Sequence, residues 1–340
     1  MRSMRAVLVR APGDVAVVTR EVPAIGPGEI LVAMKAVGIC GSDTTAWYVA
    51  AKAPSVLGHE PAGVVAAAGE GAPFRAGERV AVHHHAACGT CRFCLAGEDV
   101  QCAEWKRNRL DPGGLAELVR VEAPAVATDV FRLPDALGFE DGALAEPVAC
   151  AVKAVRRAGV RAGDAVAVIG LGANGVMLGL VARDAGAKTL VGCDPDPARR
   201  AHALRLGFDV AGEPVEDFSS KVKRVSATGA DVIFVLPTSE GAVLSALSAA
   251  GPAGRVVFYS PVAPGTTWTL SPHSSYLRDL SLLFSYSSGA RDLREALVLI
   301  GRGVVRAASL VTHRVPLADA AEAFRLARLG GDVLKVMVTV

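Results

Sequence analysis

The sequence predicts an α/β fold in two domains, a small irregular β-barrel-like domain followed by a doubly wound parallel sheet. Its 340 residues exceed the usual size of one domain, and 51% of them are hydrophobic against 21% charged, enough for a large core. Short strand-like runs broken by glycine and proline fill the first third. After about residue 140, apolar strands alternate with helical stretches, a pattern typical of a parallel sheet.

The predicted strands follow the chain in three groups. Those of the first third cover residues 5–9, 15–19, 30–37, 63–68 and 79–82. Those of the alternating region cover 166–170, 189–193, 231–236 and 254–259. The tail returns to strand, helix and strand over 311–316, 317–329 and 334–340. We therefore expect a first domain over 1–150, the parallel sheet over 151–288, and a return to the first domain over 289–340.

The charge balance excludes several classes of partner. The 36 Lys and Arg residues stand against 34 Asp and Glu residues, a net charge of +2, so there is no basic excess to bind nucleic acid or an anionic membrane. Residues 165–182 are uncharged, but several glycines interrupt them, so we do not expect a membrane helix. The chain opens without a signal-peptide pattern, and we expect a cytoplasmic protein.

Four of the seven cysteines lie within fifteen residues of one another. An odd number of cysteines without an export signal favours metal over disulfides. Four thiolates suit a structural zinc with a closed shell, and we expect a zinc lobe over about residues 84–105. An iron–sulfur cluster is the competing occupant, but no proline follows the last cysteine and no second set is present. The four predicted ligands are Cys88, Cys91, Cys94 and Cys102.

Three consecutive histidines, His83, His84 and His85, precede the lobe. Successive side chains of a strand point to opposite faces, so such a run does not converge on one ion unaided. We expect it to be the strand that leads into the lobe.

A second, open metal site is indicated by Cys40, by His59 with Glu60, and by Glu146. A thiolate, an imidazole and one or two carboxylates are the ligands of a catalytic zinc, which keeps one position for water or substrate. Each residue is a weak signal alone, and their combination with the lobe and the next motif makes the pattern specific.

A glycine-rich turn predicts a dinucleotide site. It follows an apolar strand and opens a helix, where a pyrophosphate would bind at the helix N-terminus. Asp194 stands after the next strand and would accept a hydrogen bond from a ribose 2′-hydroxyl, which favours NAD over NADP. Arg199 and Arg200 complicate this, because a basic pair can host a 2′-phosphate. The turn covers residues 170–175, and the predicted helix runs over 176–185. The candidate cofactor-binding residues of this segment are Gly170, Leu171, Gly172, Ala173, Asn174, Gly175 and Val176.

Together these residues resemble the zinc-dependent medium-chain dehydrogenases/reductases, the alcohol dehydrogenase superfamily, over essentially the whole chain. The glutamate at position 146 resembles the sorbitol and threonine dehydrogenase branch of the family. Classical alcohol dehydrogenases carry a cysteine at the corresponding position. The resemblance implies a GroES-like catalytic domain, a Rossmann NAD-binding domain and two zinc ions per chain. The segments that carry it are 38–43, 58–60, the four-cysteine lobe, 113–117, 146–147 and 170–175.

The resemblance also implies roles for single residues. The catalytic zinc is held by Cys40, His59 and an acid, and both Glu60 and Glu146 remain candidates for that place. We expect Ser42 to take the proton of the alcohol and to pass it towards the cofactor ribose. Two positions depart from the family: Thr45 stands where a relay histidine is common, and Ser285 stands where the sorbitol branch has an arginine.

The implied activity is hydride transfer between a polyol or secondary alcohol and NAD, by a zinc-dependent alcohol or polyol dehydrogenase (EC 1.1.1.-) that forms a homodimer or homotetramer. One alternative is an enzyme like L-threonine 3-dehydrogenase, for which Lys106, Arg107 and Arg109 could supply charged contacts. Another, of a different class, is a protein that binds NAD(H) and zinc without turnover.

Overall fold

The computed structural model describes residues 2–214 and 218–340. They form two compact units, one made of residues 2–149 together with 288–340 and the other of residues 150–287. The predicted α/β fold class is confirmed, since the first unit is rich in antiparallel sheet and the second contains a parallel sheet. In the described ranges, every helix is too short or too polar to cross a lipid bilayer.

The first segment, up to residue 149, is mostly strands. These are β1 (Ser3–Ala11), β2 (Asp14–Glu21), β3 (Ile30–Gly38), β4 (Ser55–Val56), β5 (Glu60–Ala68), β6 (Arg79–Val82), β7 (Leu110–Asp111), β8 (Leu118–Val121) and β9 (Val130–Arg132). Its helices are α1 (Ala46–Ala50), α2 (Arg92–Leu95), α3 (Ala103–Arg107), α4 (Ala123–Thr128), α5 (Phe139–Ala143) and α6 (Ala145–Ala158), with 3₁₀ helices at Gly41–Thr44 and Asp99–Gln101.

The middle segment alternates strand and helix. Its strands are β10 (Ala165–Ile169), β11 (Thr189–Cys193), β12 (Val210–Gly212), β13 (Ala230–Val235), β14 (Ala250–Phe258) and β15 (Ser281–Phe284). Its helices are α7 (Ala173–Asp184), α8 (Pro197–Arg205), α9 (Phe218–Val225), α10 (Glu240–Ala249) and α11 (Pro272–Leu277). The last segment contains α12 (Ala290–Gly301), α13 (Ala307–Leu310), β16 (Val311–Pro316), a 3₁₀ helix at Leu317–Asp319, α14 (Ala320–Leu329) and β17 (Lys335–Thr339).

The first unit is built around an eight-stranded sheet and a three-stranded sheet. The main path of the larger sheet is β16-β17-β3-β5-β6-β9, and β8 pairs with both β3 and β7. β17 runs antiparallel to β3, so the last strand of the chain lies beside the strand that precedes Cys40. The core of this unit is made of the aliphatic side chains of these strands, among them Ile30, Val32 and Val80, each fully buried.

The second unit is a six-stranded sheet in the order β12-β11-β10-β13-β14-β15, and its neighbouring strands are parallel. All five residues of β10 are buried, which explains its uninterrupted apolar sequence. The strand order reverses between β10 and β13. In such sheets a ligand binds beyond the carboxyl ends of the strands at the point of reversal, and the glycine-rich turn lies at the end of β10.

Candidate active site

Cys40 follows β3, at the start of the first 3₁₀ helix, and its backbone N–H donates to Asp43 Oδ2 (3.1 Å). β3 pairs antiparallel with β5 in a register that sets Gly38 opposite Glu60. The end of β3 and the start of β5 are therefore neighbours. The ligand atoms of Cys40, His59 and Glu60 lie within 4.8 Å of one another.

The carboxylate of Asp43 contacts the Nδ1 side of the His59 ring. The carboxylate is 3% exposed, and its Oδ1 lies 3.4 Å from His59 Nδ1. Burial raises the pKa of Asp43, but the imidazole of His59 and the N–H of Cys40 outweigh it and lower the pKa. A carboxylate against one ring nitrogen fixes the tautomer and leaves the other nitrogen for a metal.

Glu60 is buried beside a lysine from the last strand. It forms an ion pair with Lys335, which is itself 3% exposed and donates to the carbonyl of Ile39 (3.1 Å). Burial lowers the pKa of Lys335, but the charges of Glu60 and Cys40 raise it overall. A side chain at Gly38 would overlap the Glu60 carboxylate, so only glycine leaves it room.

These three donors fit a catalytic zinc. One thiolate, one imidazole and one carboxylate leave a fourth tetrahedral position for a reacting oxygen. Glu60 Oε1 is buried and has no hydrogen-bond partner within residues 2–214 and 218–340. A metal ion bound to this carboxylate oxygen would satisfy it.

Glu146 lies in the first turn of α6, and its carboxylate belongs to a different cluster of possible metal ligands. Its carboxylate lies within 4.8 Å of ring nitrogens of His83 and His84. Burial raises the pKa of Glu146, and the charge of Glu60 adds to this rise.

The prediction that the histidine run continues the strand is wrong. β6 ends at Val82, so the alternation of side chains along a strand no longer separates the three imidazoles.

The four lobe cysteines converge as a metal set requires. Their sulfur atoms lie within 4.8 Å of one another, with Cys91 Sγ 3.5 Å from Cys94 Sγ. Cys88 Sγ accepts the N–H of Cys91 (3.3 Å), and Cys102 Sγ accepts the N–H of Cys88 (3.4 Å). Such N–H donors stabilise thiolates. Trp105 anchors the lobe, because its indole N–H donates to the carbonyl of Ser288 (3.2 Å).

Ser42 is half-buried on the 3₁₀ helix after Cys40. Thr45, at the position of the common relay histidine, donates its hydroxyl to the carbonyl of Gly41 (3.0 Å) and so serves the local turn. Of the basic residues beyond the lobe, Arg107 pairs with Glu104 on its own helix, and Arg109 Nη1 lies 3.0 Å from His85 Nδ1.

The glycine-rich turn joins β10 to α7 in the second unit. Gly170 has φ 95°, a conformation that favours glycine. A side chain at Gly175 would overlap the carbonyl of Gly170, so this glycine lets the first turn of α7 approach the turn closely. Leu171 is buried, Gly172 is the N-cap of α7, and Ala173 and Val176 are buried in its first turns. Asn174 is half-buried beside them.

Asp194 follows β11 and is 2% exposed. Its Oδ2 accepts the N–H of Leu171 (2.8 Å) and its Oδ1 accepts the N–H of Asp196 (2.9 Å). Arg199 Nη1 lies 3.8 Å from Asp194 Oδ2, and a side chain at Gly172 would meet the same guanidinium. The acid and one base that bear on cofactor choice therefore lie together at this turn.

Sequence reasoning missed three supporting side chains. Asp43 stands within the recognised motif but was given no role. Lys335 is a buried lysine that begins β17, directly before three apolar residues, and a lysine at the edge of such a run is a signal that could have found it. Asp129 contacts His83 and follows a short helix without any local pattern.

Comparisons with known proteins identify the families and relatives that this chain resembles. Residues 26–135 match the family model of the alcohol dehydrogenase GroES-like domain, and residues 173–302 match that of the zinc-binding dehydrogenases. A sorbitol dehydrogenase from Mus musculus is 31% identical over 348 aligned residues, covering 97% of this chain and 94% of the relative. An L-idonate 5-dehydrogenase from Vitis vinifera is 32% identical, covering 93% of this chain and 89% of the relative.

A solved structure extends the comparison to the fold. A zinc-binding dehydrogenase from Sinorhizobium meliloti 1021, described as putative and bound to NADP, superposes with a TM-score of 0.89 at 26% identity. The match covers 100% of each chain. The likeness therefore includes both units.

Proposed function

Since the chain belongs to the zinc-dependent medium-chain alcohol dehydrogenase family, we propose that it oxidises a polyol or secondary alcohol to a ketone with NAD as hydride acceptor. The observation that carries the proposal is the convergence of Cys40, His59 and Glu60. The sorbitol and L-idonate dehydrogenases among the relatives favour polyols over threonine, and a complete set of zinc donors argues against a protein without turnover.

The reaction converts a secondary alcohol and NAD⁺ into a ketone, NADH and one proton. When bound, zinc lowers the pKa of the alcohol hydroxyl as a Lewis acid, and the nicotinamide accepts the hydride from carbon. Cys40, His59 and Glu60 hold the metal in this proposal. Glu60 is our choice of acid because its carboxylate groups with the other two donors.

The remaining roles belong to side chains beside these donors. Asp43 holds the His59 ring in one tautomer, and Lys335 balances the charge of Glu60. Ser42, on the 3₁₀ helix for which Cys40 is the N-cap, accepts the hydroxyl proton and passes its own proton towards the cofactor ribose. Four thiolates bind a second, structural zinc in the lobe, which gives two zinc ions for these two sets.

NAD is the proposed cofactor because of Asp194. Its carboxylate would accept a ribose hydroxyl and would repel a 2′-phosphate. Arg199, which lies beside Asp194, would instead favour the 2′-phosphate of NADP. The relative from Sinorhizobium meliloti is bound to NADP. Because the N–H of Leu171 holds the Asp194 carboxylate at the turn, we expect Asp194 to outweigh Arg199 in the choice of cofactor. A homo-oligomer and a cytoplasmic location stay predictions.

A substrate panel tests the proposal. Purified protein with bound zinc is mixed with polyols, simple secondary alcohols and threonine, and NADH absorbance is followed with NAD and, separately, with NADP. We expect the highest kcat/KM with a polyol and NAD. Turnover of threonine alone would favour the alternative substrate, and no turnover of any alcohol would contradict the proposal.

A further inference from the structure

The chain passes between its two units twice. The first crossing, between Ala149 and Cys150, lies inside the continuous helix α6. The second, between Ser287 and Ser288, lies in a stretch of irregular backbone that joins β15 to α12. Changes of backbone torsion concentrate in the few loop positions that join rigid elements. Residues 287–289, here called the crossing segment, are therefore the more pliable of the two connections.

The crossing segment has an unfavourable backbone conformation. Ser287 has φ 52°, in the left-handed region that residues other than glycine seldom occupy. Ser288 is completely buried, and the N–H of Gly289 donates to Asp292 Oδ2 (3.0 Å). A conformation of this kind persists only where the surrounding contacts hold it.

Two side chains of the four-cysteine lobe supply such contacts. Trp105, which is 2% exposed, donates its indole N–H to the carbonyl of Ser288 (3.2 Å). Asp99, on the 3₁₀ helix of the lobe, packs against Gly289, where a side chain would begin 2.7 Å from Asp99 Oδ2. Only glycine leaves Asp99 this room. The lobe therefore supports two of the three residues of the crossing segment.

The lobe has little packing of its own. Its buried core consists of Val100, Cys102 and Trp105, and the half-buried Cys91 and Cys94 pack against it. Its two α-helices, α2 and α3, are four and five residues long, too short to be stable alone. In four-thiolate sites of this kind, metal binding supplies the free energy of folding. The position of Trp105 thus depends on whether the thiolates bind an ion.

We propose that the four-cysteine lobe restrains the crossing segment only while its thiolates bind zinc. When the lobe loses its metal, Trp105 and Asp99 move away and the crossing segment becomes free to change its backbone torsions. The metal content of the lobe then controls the stiffness of a connection between the two units. This inference rests on the structural zinc of the proposed function, and it does not depend on which alcohol is oxidised.

Hydrogen–deuterium exchange of the full zinc-loaded chain tests the proposal at the amide of Gly289. Cys94→Ala removes one lobe thiolate, and zinc analysis should find one equivalent less than in the wild type. We expect the Gly289 amide to exchange at least about 10-fold faster, while the amides of β10 keep their wild-type rates. Unchanged exchange at Gly289 after the loss of this zinc would overturn the proposal. Equal acceleration at Gly289 and in β10 would also overturn it, because it reports general unfolding.

Trp105→Phe separates the hydrogen bond from the metal. Phenylalanine keeps an aromatic ring in the lobe but has no N–H, so the zinc content should stay at the wild-type level while exchange at Gly289 rises about 3- to 10-fold. Trp268→Phe is the matched control, because Trp268 also donates its indole N–H to a backbone carbonyl over 3.2 Å, that of Thr238. The control should leave exchange at Gly289 unchanged, and equal rates in the two variants would overturn the proposal.

This second comparison decides if Cys94→Ala fails to fold. Zinc analysis of the wild type separates the two possible failures, since only an empty lobe in that protein contradicts the structural zinc. Absence of polyol turnover would contradict the proposed activity alone, because the exchange measurement uses no substrate.

Discussion

The backbone N–H of Leu171 donates to Asp194 Oδ2 over 2.8 Å. This bond ties the glycine-rich turn after β10 to the acid after β11, so the residue that we propose selects NAD over NADP is positioned by the turn that would bind the phosphates of the cofactor. Asp196 N–H holds the other oxygen. Both oxygens of the carboxylate are thus held by backbone N–H groups.

Asp194→Asn should weaken the preference for NAD. The amide oxygen can still accept the N–H of Leu171, but the charge that holds a ribose hydroxyl and repels a 2′-phosphate is lost. Hydrogen bonds to charged groups contribute about 1.5–3 kcal/mol, so we expect the NAD-to-NADP ratio of kcat/KM to fall about 10- to 100-fold. Asp184→Asn, at the far end of α7, is the control. An unchanged ratio would show that Asp194 does not select the cofactor.

Lys335→Met should destabilise the protein. In the zinc-free protein, removing one partner of a buried ion pair leaves an uncompensated charge, here on Glu60, at a typical cost of about 3–5 kcal/mol. The free energy of unfolding, measured by urea denaturation, reports the change. Lys35→Met alters an exposed lysine of β3 and should cost less than about 0.5 kcal/mol. Equal stability of the two variants would mean that the ion pair contributes little.

Ser42→Ala should reduce kcat by about 10²- to 10⁴-fold, the usual contribution of a positioned proton acceptor, with little change in KM. Thr44→Ala removes a hydroxyl from the same 3₁₀ helix, where it donates to the carbonyl of Gly41, and should keep most of the activity. The kcat and KM of the two variants are compared by steady-state kinetics over a range of pH values. Full activity of Ser42→Ala at every pH would exclude the role.

Zinc in the lobe should be lost at acid pH. The N–H and hydroxyl of Thr90 and the N–H of Cys91 lower the pKa of the Cys88 thiol to about 6. The thiolate is therefore present above this pH and protonates below it, and because zinc competes with protons, release should begin only below about pH 6. A zinc-responsive dye follows the release. In Cys88→Ser, release should begin at a higher pH. The same release curve in both proteins would exclude Cys88 as a ligand.

The strands of the parallel sheet could be predicted from the sequence because burial on both faces makes them continuously apolar. Thr189–Cys193 has the predicted bounds. The helix after the turn begins at Ala173, three residues before the predicted Val176. Gly175 looked like part of the turn, but its missing side chain is what lets the helix begin so close to Gly170.

The donors of the open site could be predicted, but the side chains that support them could not. Local motifs in the sequence predict Cys40, His59 and Glu60 as donors. The partner of Glu60 is Lys335, which only the pairing of β17 with β3 brings near. The histidine run was misread because it was taken as part of the strand, although β6 ends at Val82, as the predicted strand over 79–82 does.

The most direct test of the central claim measures bound zinc and the rate of NADH formation from a polyol on the same preparations of wild-type protein and Cys40→Ser. Cys193→Ser, which changes a buried cysteine of the parallel sheet, is the control. The account predicts that Cys40→Ser loses one zinc per chain and at least about 10³-fold in kcat/KM, while the control keeps its zinc. Wild-type zinc content together with wild-type activity in Cys40→Ser would contradict it.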